Sequence, residues 1–215
     1  MKTSILRLLS MLVVLASTAS APAFATKSTF DSGFEGWTQT SGVSWVDTGG
    51  NTGGYLRFAD TGPANGGQVI APAAFLGDWL TDYGSTGLFS VDYEVIQAGT
   101  YQPFTMAVYI TGAGGRIGRG FAPWDAFGTQ FPWTTFTVSL APADWVVLSG
   151  TFAGALSNVT ELSISMSSAT SADEVTGIDN VWVRAAPVGV PEPGTLALLG
   201  LGLAGLGLSR RRKAN

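Results

Sequence analysis

The run Leu88-Phe89-Ser90-Val91-Asp92-Tyr93-Glu94-Val95 alternates: Phe89, Val91, Tyr93 and Val95 fall on one side of an extended chain, and Leu88, Ser90, Asp92 and Glu94 on the other. A strand with one apolar side has to lay it against a second layer. Seven further β-rich runs occur at residues 43–46, 55–58, 104–110, 134–138, 145–148, 162–166 and 178–183, separated by clusters of Gly, Asn and Pro. Eight short strands of this kind predict an all-β fold in which two sheets pack face to face as a β-sandwich. Only residues 73–79 and 154–158 offer helix, a turn or two each, as connections whose Phe75, Leu76 and Leu156 plug the rim of the core.

Composition removes several kinds of chemistry. With no Cys and no His, the chain has no disulfides, no thiol nucleophile, no His-based zinc site and no His-dependent triad. Residues 26–190 carry five basic and fourteen acidic side chains, a net of −9, which argues against a nucleic-acid partner and for cations. Asp-rich loops suit a hard cation such as Ca²⁺.

Both ends read as addresses. Lys2 and Arg7 lead into an apolar run at 8–16 and small residues ending in Ala23-Phe24-Ala25, so residues 1–25 predict a secretory signal peptide and a mature chain starting at Thr26. At the other end, residues 194–208 are 15 residues without a charge. As a helix they would rise about 22 Å, short of a ~30 Å bilayer core but able to span it by thinning and snorkelling. Arg210, Arg211, Arg212 and Lys213 hold that end in the cytoplasm, so the preceding domain faces away from it. Glycines at 200, 202, 205 and 207 make the span a temporary stop. The same glycines spell the dinucleotide fingerprint G-x-G-x-x-G, but no strand precedes them, so that match is coincidence.

Pro191-Glu192-Pro193, the glycine-rich span and the arginine cluster together resemble the PEP-CTERM sorting signal of Gram-negative bacteria. The resemblance implies a membrane peptidase, exosortase, that cuts near the motif after transient residence in the inner membrane. Release would then be to the cell surface or the exopolysaccharide matrix. Three blocks between the ends, "FEGWTQTSGVSWVDTGGNTGGYLRFAD", "APAAFLGDWLTDYGSTGLFSVDYEV" and "GALSNVTELSISMSS…GIDNVWVRAA", resemble the laminin B domain, also called laminin IV type A. That resemblance implies a jelly-roll β-sandwich of the galactose-binding and carbohydrate-binding-module type over residues 26–187, followed by the sorting segment 188–215. Residues 97–143 depart from the pattern.

In carbohydrate-binding sandwiches an acid after the first aromatic and an acid in the last strand clasp a structural Ca²⁺, and the resemblance places Asp31 and Asp179 in those roles. Ca²⁺ takes 6–8 oxygens, so two carboxylates and backbone carbonyls would tie the two ends of the domain together. Trp37, Trp45, Phe58, Phe89 and Trp182 sit in strand-like or entry positions and read as core. Trp79, Tyr101, Trp124 and Trp133 lie beside turns or in the divergent stretch, where rings stay exposed. With Arg116, Arg119 and Asp125 they form the candidate glycan-facing set, because a sugar stacks on a ring while polar groups hold its hydroxyls. The carboxylate pairs on offer for glycoside hydrolysis are Asp78 with Asp82 and Asp92 with Glu94. A structural hydrogen bond accounts for Asp78 and solvation for Asp92 and Glu94. The expectation is an exported, non-catalytic protein that binds glycan or exopolysaccharide. A structural surface protein making protein–protein contacts is the alternative, and a glycoside hydrolase the third.

Overall fold

The structure is a computed structural model that describes residues 25–60, 66–97, 106–121, 130–166 and 173–186. The signal segment 1–24 and the sorting segment from 187 onward lie outside them. Among the described residues no helix is long and apolar enough to cross a membrane.

Strand β12 (Val175–Arg184) runs through the first sheet and fixes its layout. One edge pairs along its length with β6 (Leu88–Gln97). The other edge pairs with β4 (Tyr55–Ala59) over residues 175–178 and with β1 (Ala25–Ser28) over 181–184. Asp179 and Asn180 fall in the gap where one partner hands over to the other. Beyond β4 lies β3 (Val43–Val46), and beyond β6 lies β9 (Phe131–Ser139), all antiparallel. The second sheet holds β2 (Thr38–Gln39), β5 (Gln68–Ile70), β7 (Met106–Gly112), β8 (Gly115–Phe121), β10 (Val146–Gly150) and β11 (Val159–Ser165). Its order is β10-β8-β7-β11-β5-β2.

The alternation in residues 88–95 is what joins the layers. Phe89, Val91, Tyr93 and Val95 of β6 are at most 1% exposed and belong to one cluster with Val108, Ile110, Ile117, Leu162 and Ile164 of the second sheet. Burying each side chain of this size contributes about 1.5–3 kcal/mol. The other side of β6 differs from its expected solvation. Ser90 is buried with its hydroxyl donating to the Phe136 carbonyl (2.9 Å), and Asp92 is buried under hydrogen bonds described below.

The helical stretch expected at 73–79 splits in two. A 3-10 turn covers Ala73–Phe75 and a short helix covers Trp79–Asp82, because Gly77 at φ +119° bridges to Val159 instead of continuing the turn. The second helix, Phe152–Leu156, starts two residues earlier than expected, where the Thr151 hydroxyl accepts from the Gly154 N–H (2.9 Å). Strand β8 escapes the periodicity because Gly115, Gly118 and Gly120 carry no side chain to alternate. It forms a hairpin with β7 through Ala113 and Gly114. Phe89→Ala is expected to cost about 3–5 kcal/mol, read as a lower urea midpoint at unchanged m-value. A midpoint within experimental scatter of the parent would place Phe89 outside the layer that holds the sheets together.

Candidate functional site

The gap in β12 is filled by the loop joining β3 to β4. That loop closes on a Gly50 N–H to Gly53 carbonyl bond (2.9 Å) and points its backbone into the gap. Asp179 Oδ2 accepts from the N–H groups of Asn51 (2.9 Å) and Thr52 (3.4 Å), and its Oδ1 accepts from the N–H of Asn180 (2.6 Å). Directly across the ladder from Asp179 stands Asp92 on β6, also buried. Like charges facing each other on a sheet repel. Asn51 sits between them, sending its backbone N–H to Asp179 and its side-chain amide to Asp92 Oδ2 (2.7 Å), while the Thr135 hydroxyl donates to Asp92 Oδ1 (2.6 Å). Burial drives the Asp179 carboxyl up to about 6, the three N–H donors pull the other way, and Asp92 adds to the rise.

Glycines let the loop enter. A Cβ at Gly50 would stand 2.8 Å from Asp179 Oδ2 and 2.5 Å from the Gly54 carbonyl, and one at Gly54 would stand 2.5 Å from the Phe30 carbonyl and 2.9 Å from that of Val46. At Gly53 it would collide with Asp31 Oδ1. Asp31, just after β1, and Asp179, in the last strand, therefore reach the same loop from the two ends of the domain. Phe30 (φ 52°) and Asn180 (φ 47°) hold left-handed backbone on either side, a cost accepted where a site demands it. Asp31 and Asp179 are the two carboxylates at this glycine turn, and both oxygens of Asp179 already accept N–H groups. Among the described residues no three acidic side chains gather.

Trp133 braces the same loop from the outer face of the first sheet. Its Nε1 donates to the Gly49 carbonyl (3.0 Å), and its ring meets Tyr55 edge-on at 5.4 Å. The two rings meet over Gly177, where a Cβ would lie 2.8 Å from Trp133 and 2.9 Å from Tyr55. Arg57 and Glu94 flank Gly177 in the ladder register, one on each neighbouring strand. Burial raises the Tyr55 phenol, with Arg57 opposing and Glu94 adding. Burial also raises the Glu94 carboxyl. Across the loop, Trp45 is 36% exposed although its Nε1 donates to the Phe30 carbonyl (2.6 Å). Tyr55, Arg57 and Glu94 carry no local signature, because only the register around Gly177 assembles them.

The expected glycan-facing residues that are described, Trp79, Arg116, Arg119 and Trp133, do not converge. Trp79, expected at the surface, is 1% exposed, with its Nε1 bonded to the Phe75 carbonyl (2.8 Å) and its ring against Tyr83. It plugs the core because the helix Trp79–Asp82 turns it inward. Arg116 and Arg119 lie on β8 of the second sheet, Arg116 over the Tyr109 ring and Arg119 bonded to the Asp144 carbonyl (2.9 Å). Trp133 lies on the first sheet. Tyr101, Trp124, Asp125, the motif Pro191-Glu192-Pro193 and the stretch 194–208 fall outside the described residues. Trp37, Phe58 and Phe89 are core as expected, but Trp45 is exposed, and Trp182 is half-buried under Arg184 at 4.1 Å. Of the carboxylates considered for hydrolysis, Asp78 and Asp92 are otherwise engaged. Asp78 caps its helix through the Thr81 N–H (3.0 Å) and hydroxyl (2.7 Å), and both oxygens of Asp92 accept hydrogen bonds.

Two antiparallel six-stranded layers, with first and last strands side by side around a gripped loop, define a β-sandwich module of the jelly-roll kind. Residues 69–197 match Laminin B (Domain IV), and the chain belongs to that family. Residues 189–213 match the PEP-CTERM protein-sorting motif, which implies export and a surface location. Among solved structures the chain is similar to the L4b domain of human laminin alpha-2, at 12% identity over 77% of this chain and 99% of that one, with a TM-score of 0.51. It is similar to an exo-beta-agarase at 14% identity over 73% of this chain, with a TM-score of 0.50, and spans only 24% of that enzyme. A weaker likeness is to the K1 cleaved adhesin domain of Lys-gingipain from Porphyromonas gingivalis W83, at 16% identity over 76% of this chain and 99% of that one, TM-score 0.46. At these identities the likeness speaks for the fold alone. No curated protein sequence matches the chain.

A carboxyl raised in the folded state contributes stability that is complete below its unfolded value, near 3.9, and is lost as pH rises through about 6. In a chelating buffer, Asp179→Asn is therefore expected to remove a fall in thermal stability between about pH 4 and pH 6 that the parent shows. Parallel pH profiles for the two proteins would show that Asp179 is not held as described.

Proposed function

We propose that the domain is a non-catalytic, exported adhesive module that holds a neutral glycan or exopolysaccharide against the outer face of its first sheet. The observation that carries this reading is the meeting of Trp133 and Tyr55 over Gly177, between Arg57 and Glu94. The tryptophan N–H groups are already spent inside the protein, which leaves ring surface for the C–H face of a sugar. Arg57 and Glu94, each partly exposed, stand beside it as hydroxyl partners, and Tyr55, 7% exposed, backs the ring. The net −9 of residues 26–190 repels an acidic polymer and so favours a neutral one.

Export fits the same picture. Cleavage after Ala25 leaves Thr26, Lys27 and Ser28 paired with Val183, Trp182 and Val181, so the mature N-terminus starts inside the sheet. A transient helix at 194–208 would hold the chain at the inner membrane until exosortase cuts near Pro191-Glu192-Pro193. A Ca²⁺ ion held by Asp31, Asp179 and carbonyls of the loop would rigidify the ledge on which Trp133 rests. A second reading, a surface protein that binds other proteins, draws on β10, where Val146, Val147 and Leu148 are 63%, 46% and 49% exposed at a sheet edge.

Affinity gels cast with barley β-glucan, xylan, agarose or alginate test the glycan reading. Retardation by at least one neutral polymer is expected, with Trp133→Ala weakening it about tenfold, or about 1.4 kcal/mol. Equal retardation of parent and variant removes the ledge from the binding site. Chelation is expected to lower Tm by about 5–10 °C, the effect of losing an ion present at about 100 times its Kd. An unchanged Tm would remove calcium from the account.

A further inference from the structure

We infer that the outer face of the second sheet is another contact surface for the same neutral glycan, so that one domain bridges two polymer strands; this rests on the glycan reading above. Across that face the register sets Ile70, Ser163, Tyr109, Gly118 and Val146 in one row over five strands. Gly118 is the pivot. A Cβ there would lie 3.0 Å from the Tyr109 ring and 3.1 Å from Leu148, so ring and aliphatic chain close together over the bare backbone of β8. The guanidinium of Arg116 lies 4.8 Å from the centre of the same ring. The next row runs from Gly120 through Ala107 and Ser165 to Gln68, small on its first three strands, which leaves the ring and the guanidinium standing above a low shelf there.

Among the described residues two buried polar atoms beside Tyr109 have no hydrogen-bond partner: Arg116 Nε and the hydroxyl of Ser163, a residue that is itself fully buried beneath the ring. An aromatic ring with a cation held on it, both partly exposed, again makes the chemistry of sugar recognition. The two sheets of a sandwich turn their outer faces away from each other, about 10 Å of core between them. A single extended strand reaches one face or the other, so occupancy of both joins two strands.

The test is light scattering of the purified protein titrated into whichever of β-glucan, xylan or agarose retards it in gels. Scattering is expected to rise, pass through a maximum and fall at protein excess, as bridging requires. Tyr109→Ala and Arg116→Gln are expected to remain retarded in gels yet lose the scattering maximum, and to bind immobilised polymer about 100-fold more weakly as bivalency is lost. Arg116→Gln carries the test if Tyr109→Ala does not fold, and its unchanged Tm certifies the sheet. Parental scattering from both variants overturns the bridge, as does scattering by the protein with no polymer present. Retardation of the parent without scattering overturns the bridge and leaves the first-sheet site standing. Absence of retardation by every polymer overturns the glycan reading itself.

Discussion

The grip of the Gly50–Gly54 turn on Asp179 is the interaction on which the rest of the structure depends. Strand β12 cannot pair with β4 and β1 at the same residues, so the handover leaves backbone and a carboxylate exposed in the middle of a sheet. Three N–H groups close that opening, and Asn51 separates the two aspartates that the register forces together. Removing a partner from buried polar groups of this kind costs the full desolvation of what remains, about 1–3 kcal/mol per group and more for a charge. The same turn carries the Gly49 carbonyl to Trp133 and brings Asp31 from the first strand to the last. Chain closure and the seat of Trp133 are thus one construction.

Much of the fold is legible in the sequence because the sheets obey a period of two. Residues 88–95 sort themselves correctly on the core side, and eight of the strands announce themselves by β-branched and aromatic runs. What fails is where glycine or a single register decides. Strand β8 is silent because three of its seven residues are glycine. Asp92 reads as a solvated residue because alternation says which side it faces and nothing about the loop that comes to cover that side. Trp79 reads as a surface ring because it follows a turn, yet the helix capped by Asp78 rotates it inward.

The site is less legible than the fold for a related reason. Asp31 and Asp179 stand out by resemblance, and the structure brings both to one loop. Trp133 is found on an outer face, but its companions Tyr55, Arg57 and Glu94 come from three segments that only the ladder around Gly177 assembles. Arg116 is found without Tyr109, which sits in an unremarkable apolar strand. Both faces use the same device, a glycine whose missing side chain lets aromatic rings settle on the backbone of the neighbouring strands. Membership of the Laminin B (Domain IV) family and a PEP-CTERM sorting motif fit a module exported to the surface.

Amide hydrogen exchange at Asn51 and Thr52 tests the central claim most directly. If their N–H groups close the gap in β12, both exchange as slowly as the amides of β12 itself, although they belong to a loop whose side chains are exposed. Asp179→Ala would release them to the rate of an open loop. Fast exchange at both positions in the unaltered protein, matching that of the neighbouring exposed Thr48, would contradict the account.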